Sequence, residues 1–143
     1  MSELQRLRWA TLAAGLWWGS LSALCFLVVP LLFAHLPSPA IAGSMAARLF
    51  SAQTWLGCGC GLLLLMAVSR SESQTLTAWS QALMRPVVAA LLLALLLELA
   101  VAPRIVAARV EGQSLRLWHG LGSAMLVLQW LCAGITFWRL AHR

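Results

Sequence analysis

One carboxylate lies inside the most apolar stretch of the chain. Residues 89–103 read AALLLALLLELAVAP, and Glu98 is the only charged residue among them. A side chain that can ionise is costly at the depth of a lipid bilayer, so it usually marks a functional site or a specific polar partner. Glu98 is therefore the first candidate for chemistry in this protein.

The side chains that could act with Glu98 are an imidazole, several guanidinium groups and an amide, from His119, Arg48, Arg104, Arg116 and Gln53. One interpretation is structural: Glu98 pairs with Arg48, Arg116 or His119, a kind of contact that contributes about 0.6 kcal/mol on average between membrane helices. Another is functional, because a carboxylate and an imidazole together can handle a proton or a ligand. A third is that Glu98 faces lipid by chance.

A metal or haem site is the alternative chemistry. His119 and His35 are the candidate ligands for haem or another metal, and the four cysteines could bind copper. Cys58 and Cys60 are two residues apart and point to different faces of a helix, so they form no metal-binding motif. We expect no cofactor, with haem or copper as the alternative.

No known catalytic motif is present. The chain has no GxSxG, no HExxH and no glycine-rich phosphate loop. The sequence therefore does not predict an enzyme.

The composition indicates an integral membrane protein. Of 143 residues, 62% are hydrophobic and 10% are charged, whereas about a quarter of the residues of a soluble domain are charged. The net charge of +6 comes from arginines placed singly at the ends of apolar runs, where they anchor helices, so nucleic-acid binding is not expected. The lipid bilayer is the predicted partner.

Four apolar runs predict four transmembrane helices in one domain, residues 1–143. The expected helices span about 9–33, 39–69, 75–102 and 115–140, with Pro30 and Pro103 near the ends of the first and third. Short connections make this an all-α up-down bundle. The first run is too long for a signal peptide and is read as a retained helix.

Small residues predict where helices pack closely. Gly15 with Gly19, and Gly57 with Gly61, form two pairs at GxxxG-type spacing. Such faces also join separate chains, so a homo-oligomer or another membrane-protein partner stays open.

The two halves of the chain resemble each other, which suggests a parallel repeat of two hairpins. Val28-Val29-Pro30 corresponds to Val101-Ala102-Pro103, and Arg48-Leu49-Phe50 to Arg116-Leu117-Trp118. This alignment pairs Cys25 with Glu98 and Ser51 with His119.

Charge at the helix ends predicts the topology. Six arginines fall on the side of the two termini and four on the other; the six are 6, 8, 70, 85, 139 and 143. The excess favours cytoplasmic termini. Arginine without lysine, with abundant Ala, Leu and Trp, indicates a bacterial protein and hence the inner membrane.

Several motifs resemble those of a bacterial integral-membrane family of unknown function, related to the animal transmembrane protein linked to cisplatin resistance. They are Gly15 and Gly19 in the first helix, Val29-Pro30-Leu31-Leu32-Phe33, Leu36-Pro37, Ala47-Arg48-Leu49-Phe50, Ala102-Pro103-Arg104 and Trp118-His119-Gly120. The resemblance implies a four-helix membrane domain and no assigned activity. A more distant similarity to copper-resistance and haem-biosynthesis membrane proteins implies metal or haem handling as an analogy only.

The sequence thus predicts a small integral membrane protein of unassigned biochemical role. Transport, assembly or membrane stress, with a polar site near one mouth of the bundle, is the leading hypothesis. A membrane protein that binds haem or copper and handles metal or electrons is the alternative.

Overall fold

The computed structural model describes residues 3–69, 77–111 and 115–142, which form four long helices. We label them in chain order: α1 is Glu3–His35, α2 is Pro39–Ser69, α3 comprises Thr77–Leu96, Leu97–Val101 and Ala102–Glu111, and α4 is Leu115–Ala141. All four are long and apolar enough to cross a membrane. The predicted all-α four-helix fold is confirmed.

Two helices extend further than the apolar pattern predicts. α1 begins at Glu3 rather than near residue 9, because the polar start of the chain contains no helix breaker. α3 continues to Glu111, whereas the prediction ended this helix at residue 102. The predicted start of this helix, residue 75, lies outside the described residues. α2 has the predicted bounds.

The prolines do not end their helices because each follows a widened turn. Leu24–Val28 in α1 and Leu97–Val101 in α3 are π-helical, and Pro30 and Pro103 come two residues after them. In an α-helix the proline ring clashes with the carbonyl group four residues earlier. A π turn changes the local hydrogen-bond register and relieves this clash, so the helix continues.

The helices form a four-membered ring around the core. α1 packs against α2 and α4, and α3 packs against the same two neighbours, so α1 and α3 lie diagonally across the bundle. The largest fully buried side chains include Trp17, Leu21, Leu64 and Leu83. Many leucines and tryptophans are exposed on the outside, as expected for a surface that faces lipid.

Burial shows that α1 and α3 are structural repeats 73 residues apart. Their π turns correspond residue for residue. All five buried residues of α1 have buried counterparts in α3: Ala10 with Leu83, Ala14 with Val87, Trp17 with Ala90, Leu21 with Ala94, and Leu24 with Leu97. Cys25 and Glu98 therefore occupy equivalent positions, as the alignment of the two proline motifs predicts.

α2 and α4 repeat at a spacing of 76 residues. All five buried residues of α4 have buried counterparts in α2: Ala46 with Gly122, Gln53 with Gln129, Gly57 with Ala133, Cys60 with Thr136, and Leu64 with Leu140. In this register Ser51 corresponds to Val127, so its predicted pairing with His119 is wrong. Arg48 lies nine residues into α2, whereas Arg116 is the second residue of α4.

The four glycines predicted to pack helices have different surroundings. A Cβ atom at Gly57 would lie 2.7 Å from Trp17 Nε1, and one at Gly61 would lie 2.6 Å from Leu91 Cδ2. At Gly15 a Cβ would lie 3.2 Å from Phe137, but at Gly19 it would have no neighbour within 4 Å. Gly57 and Gly61 thus make room for large side chains of two different helices.

We expect Gly57→Ala to destabilise the protein by about 1–3 kcal/mol, because Trp17 is completely buried and has no free space into which to move. Gly59 is the matched control, since a Cβ there meets nothing within 4 Å. Gly59→Ala should stabilise the helix by about 0.5–1 kcal/mol. Reversible unfolding in detergent micelles measures both; equal effects would contradict the packing role of Gly57.

Candidate functional site between α2 and α3

Glu98 is the second residue of the π turn in α3 and is half-buried. The hydroxyl group of Ser51, on α2, donates a hydrogen bond to Glu98 Oε1 with an oxygen–oxygen distance of 2.5 Å. This contact links the two helices at the carboxylate. We call the region around Glu98 and Ser51 the α2–α3 groove.

The groove lies deep in the bundle rather than at its mouth. The apolar span of α3 is Gln81–Ala108, and Glu98 is about 5 Å from its middle at 1.5 Å per residue. The prediction of a site near one mouth is wrong because it ended this helix just after Pro103. The helix instead continues for a further eight residues.

The predicted ring of basic side chains does not assemble around Glu98. Arg48, Arg116 and His119 are exposed, and within the described residues none of the three forms an ion pair with the carboxylate. The Arg104 guanidinium instead lies 5.3 Å from the centre of the Trp118 ring. Glu98 thus has a neutral hydroxyl as its partner where an arginine was expected.

Gln53 belongs to a different contact. Its side chain is 8% exposed, and its amide donates a hydrogen bond of 2.9 Å to the hydroxyl of Ser20 on α1. Gln53 and Ser51 are two residues apart and so lie on nearly opposite sides of α2. The predicted polar site is therefore divided between two helix interfaces.

The residue that the sequence did not identify is Ser51. A serine in an apolar helix usually bonds to its own backbone, as Ser44 does with Ile41. Only the packing of α2 on α3 distinguishes Ser51 from such a serine. Trp55 follows one turn later on the same helix face and is 63% exposed.

No metal centre is formed by the described residues: no three His, Cys, Asp or Glu side chains come close enough to hold an ion. His35 is exposed, and its Nδ1 lies 3.1 Å from the carbonyl oxygen of Leu31 in its own helix. The four cysteines are free thiols. The haem or copper alternative has no ligand set in this part of the chain and stays a prediction.

The equivalent groove, between α1 and α4, contains no carboxylate. Cys25 stands in the place of Glu98, and Val127 in the place of Ser51. This interface is sealed by aromatic contacts: Trp18 stacks on Phe137 at 5.7 Å and lies 6.0 Å from Trp130. The two grooves are therefore formed by equivalent helix pairs, but only the α2–α3 groove has a carboxylate at this position.

The sequence model of a family described as a domain of unknown function, DUF4149, matches residues 12–114. This chain belongs to the DUF4149 family. The match includes α1 from residue 12 onwards, α2 and α3, and so contains Glu98, Ser51 and Trp55. No curated protein and no solved structure matches the chain. Membership in DUF4149 therefore assigns no activity.

A double-mutant cycle tests the link between Ser51 and Glu98. Ser51→Ala and Glu98→Ala should show a coupling free energy of about 0.6–2 kcal/mol, because each substitution removes one partner of the same hydrogen bond. The cycle of Arg48→Ala with Glu98→Ala should show less than about 0.5 kcal/mol. The stability of each variant is measured by unfolding in detergent. A larger coupling with Arg48 would restore the ion-pair interpretation.

Proposed function

We propose that this DUF4149 protein is a transport or assembly component of the membrane, and that it works through the carboxyl group of Glu98, which takes up and releases a proton within the bilayer. The observation that carries the proposal is the environment of Glu98. Its carboxylate is half-buried in an apolar span, and in the part of the chain that the structure describes its polar contact is a serine hydroxyl and not a cation. A membrane carboxylate with no ionic partner is suited to proton exchange.

The repeat supports a functional origin for Glu98. The α1–α4 groove packs the equivalent helix pair with Cys25 and Val127. Its interhelical polar contact joins two neutral groups, because Trp130 Nε1 donates a hydrogen bond of 2.8 Å to the Ser22 hydroxyl. The fold thus has a way to form this interface without a carboxylate. A purely structural role does not account for the costly group in one half, whereas a role in proton handling does.

The π turn is a second supporting feature. The turn that contains Glu98 interrupts the regular backbone pattern of α3 at the depth of the carboxylate. Such turns are frequent at functional sites. Because α1 has the same turn without a carboxylate, the turn itself accommodates the proline, and it supports the proposal only through the position that it sets for Glu98.

We further propose that the protein lies in the bacterial inner membrane with both termini in the cytoplasm. The support is the excess of arginine on the side of the termini, six against four. The relationship to the animal protein linked to cisplatin resistance also stays a proposal. It rests on the motifs around Pro30, Leu36-Pro37 and Arg48.

Labelling with dicyclohexylcarbodiimide tests the proton site. This hydrophobic reagent partitions into the bilayer and adds covalently to a protonated carboxyl group. We expect labelling of Glu98 in the protein reconstituted into vesicles, detected as a mass increase on the peptide that contains it. Ser51→Val should alter the rate of labelling, because it removes the hydrogen bond to the carboxylate.

The controls use the residues of the other half. Glu98→Cys should abolish the label while the protein still inserts and folds, because Cys25 occupies the equivalent position. Glu3 is exposed near the start of α1 and should react with a water-soluble carbodiimide instead. Glu98 that resists the hydrophobic reagent over a wide pH range would overturn the proposal of a proton site.

Cysteine accessibility tests the topology. In a chain without the four native cysteines, Glu3→Cys and His35→Cys place a thiol at the two ends of α1, and both positions are exposed. A membrane-impermeant maleimide added to the outside of whole cells or spheroplasts should label only residue 35. Labelling of residue 3 alone would reverse the orientation.

A further inference from the structure

We infer that the α2–α3 groove binds a lipophilic monovalent cation, held between the carboxylate of Glu98 and the indole ring of Trp55. This inference rests on the proposed function, because it names the ligand class of the same site. The groove offers a negative charge on α3, together with a hydrogen-bonding hydroxyl and an aromatic side chain one turn apart on α2.

Charge is the first argument. Within the described residues the carboxylate of Glu98 has one polar contact, the neutral Ser51 hydroxyl, and no cationic side chain beside it. An unpaired carboxylate in a medium of low dielectric strongly favours a positive partner. A cation with apolar substituents can reach this depth, because such substituents lower its cost of transfer into hydrocarbon.

The aromatic side chain is the second argument. Trp55 follows Ser51 by four residues, so the two side chains lie on the same face of α2 with Cβ atoms about 5–6 Å apart. The indole of Trp55 is 63% exposed. Tryptophan provides the best cation–π surface among the side chains, and the contact strengthens when water is excluded.

Access from the lipid is the third argument. Glu98 and Ser51 are half-buried, so the groove is neither closed inside the core nor fully on the surface. Leu99, the neighbour of Glu98, is 70% exposed, and Ala52, the neighbour of Ser51, is also exposed. A ligand dissolved in the bilayer can therefore approach from the side.

The α1–α4 groove serves as an internal comparison. Its residues at the positions of Glu98, Ser51 and Trp55 are Cys25, Val127 and Leu131, so it has no carboxylate. The hydroxyl and indole groups that it does contain, those of Ser22 and Trp130, are joined to each other by a hydrogen bond of 2.8 Å. Since the equivalent helix pair packs without an acidic residue, the fold does not require Glu98. Together Glu98, Ser51 and Trp55 match the chemistry of a lipophilic cation.

The test uses tetraphenylphosphonium as the probe and the full-length protein in detergent micelles. Equilibrium dialysis with radiolabelled probe should show saturable binding of one cation per chain. Glu98→Cys should abolish this binding. Trp55→Leu should weaken it by about 2- to 30-fold, the range of a single cation–π contact.

Trp9→Leu is the matched control, because Trp9 is 64% exposed but lies at the far end of α1. The dissociation constant of this variant should stay within twofold of the unsubstituted protein. If Trp9→Leu weakens binding as much as Trp55→Leu does, the probe is partitioning into a general apolar surface and the inference is wrong.

A second variant builds the same three residues into the α1–α4 groove. The combined substitutions Cys25→Glu, Val127→Ser and Leu131→Trp should raise the stoichiometry from one cation per chain to two. Cys25→Glu alone should bind more weakly at the new position. A folded triple variant that still binds one cation would contradict the assignment of the site to these three residues.

Protection from carbodiimide separates the two proposals. Tetraphenylphosphonium should reduce the labelling rate of Glu98 at least tenfold. Labelling of Glu98 without saturable binding or protection would overturn the cation site and leave the proton site standing. Saturable binding that depends on Glu98, without labelling in the absence of the probe, would support the cation site and remove the proton site.

Discussion

The need to satisfy every backbone hydrogen bond inside hydrocarbon shapes this protein more than any single contact. A helix that stopped at Pro30 or Pro103 would expose unpaired carbonyl groups to lipid, where no water can satisfy them. Both helices continue instead, through π turns that precede the prolines. This constraint decides the depth of the candidate site. Because α3 runs on to Glu111, Glu98 lies well inside the bundle rather than at its end.

Comparison of the two repeats distinguishes the buried positions that the fold requires from residues that occur in only one of the two equivalent grooves. The positions that are buried in α1 and α4 are also buried in α3 and α2, although the side chains differ; Trp17 and Ala90, for example, are both completely buried. The shared pattern is that of helix packing. The carboxylate of the α2–α3 groove has no chemical counterpart in the α1–α4 groove, where Cys25 stands at the equivalent position. This difference distinguishes the candidate site from the shared helix packing.

The Ser51 hydroxyl binds the Glu98 carboxylate less strongly than an arginine would, and this weaker interaction is consistent with a functional site. A tight ion pair with arginine would hold the carboxylate in its charged form, whereas a hydroxyl can donate a hydrogen bond to a carboxylate or accept one from a carboxylic acid. Arg48 lies three residues before Ser51 on the same face of α2, but its side chain is exposed and makes no contact with Glu98. The neutral partner of Glu98 is therefore the observation on which both the proposed proton site and the proposed cation site depend.

The sequence by itself determined the class of protein, the number of helices, the bounds of α2 and the choice of Glu98 as the unusual residue, because hydropathy and the cost of an intramembrane charge are local properties. It also predicted the equivalence of Cys25 and Glu98. It did not predict the start of α1, because the polar residues before Trp9 give no hydropathy signal although they form a helix. It did not predict the end of α3 either, since a proline motif alone does not reveal the π turn that accommodates it. The partner of Glu98 and the register between α2 and α4 were decided only by the tertiary structure. Ser51 is distinguished from other serines of the apolar helices only by the packing of α2 on α3. The similarity of the Arg48 and Arg116 motifs predicted the wrong register between α2 and α4, because the register is shown by a burial pattern that depends on all four helices.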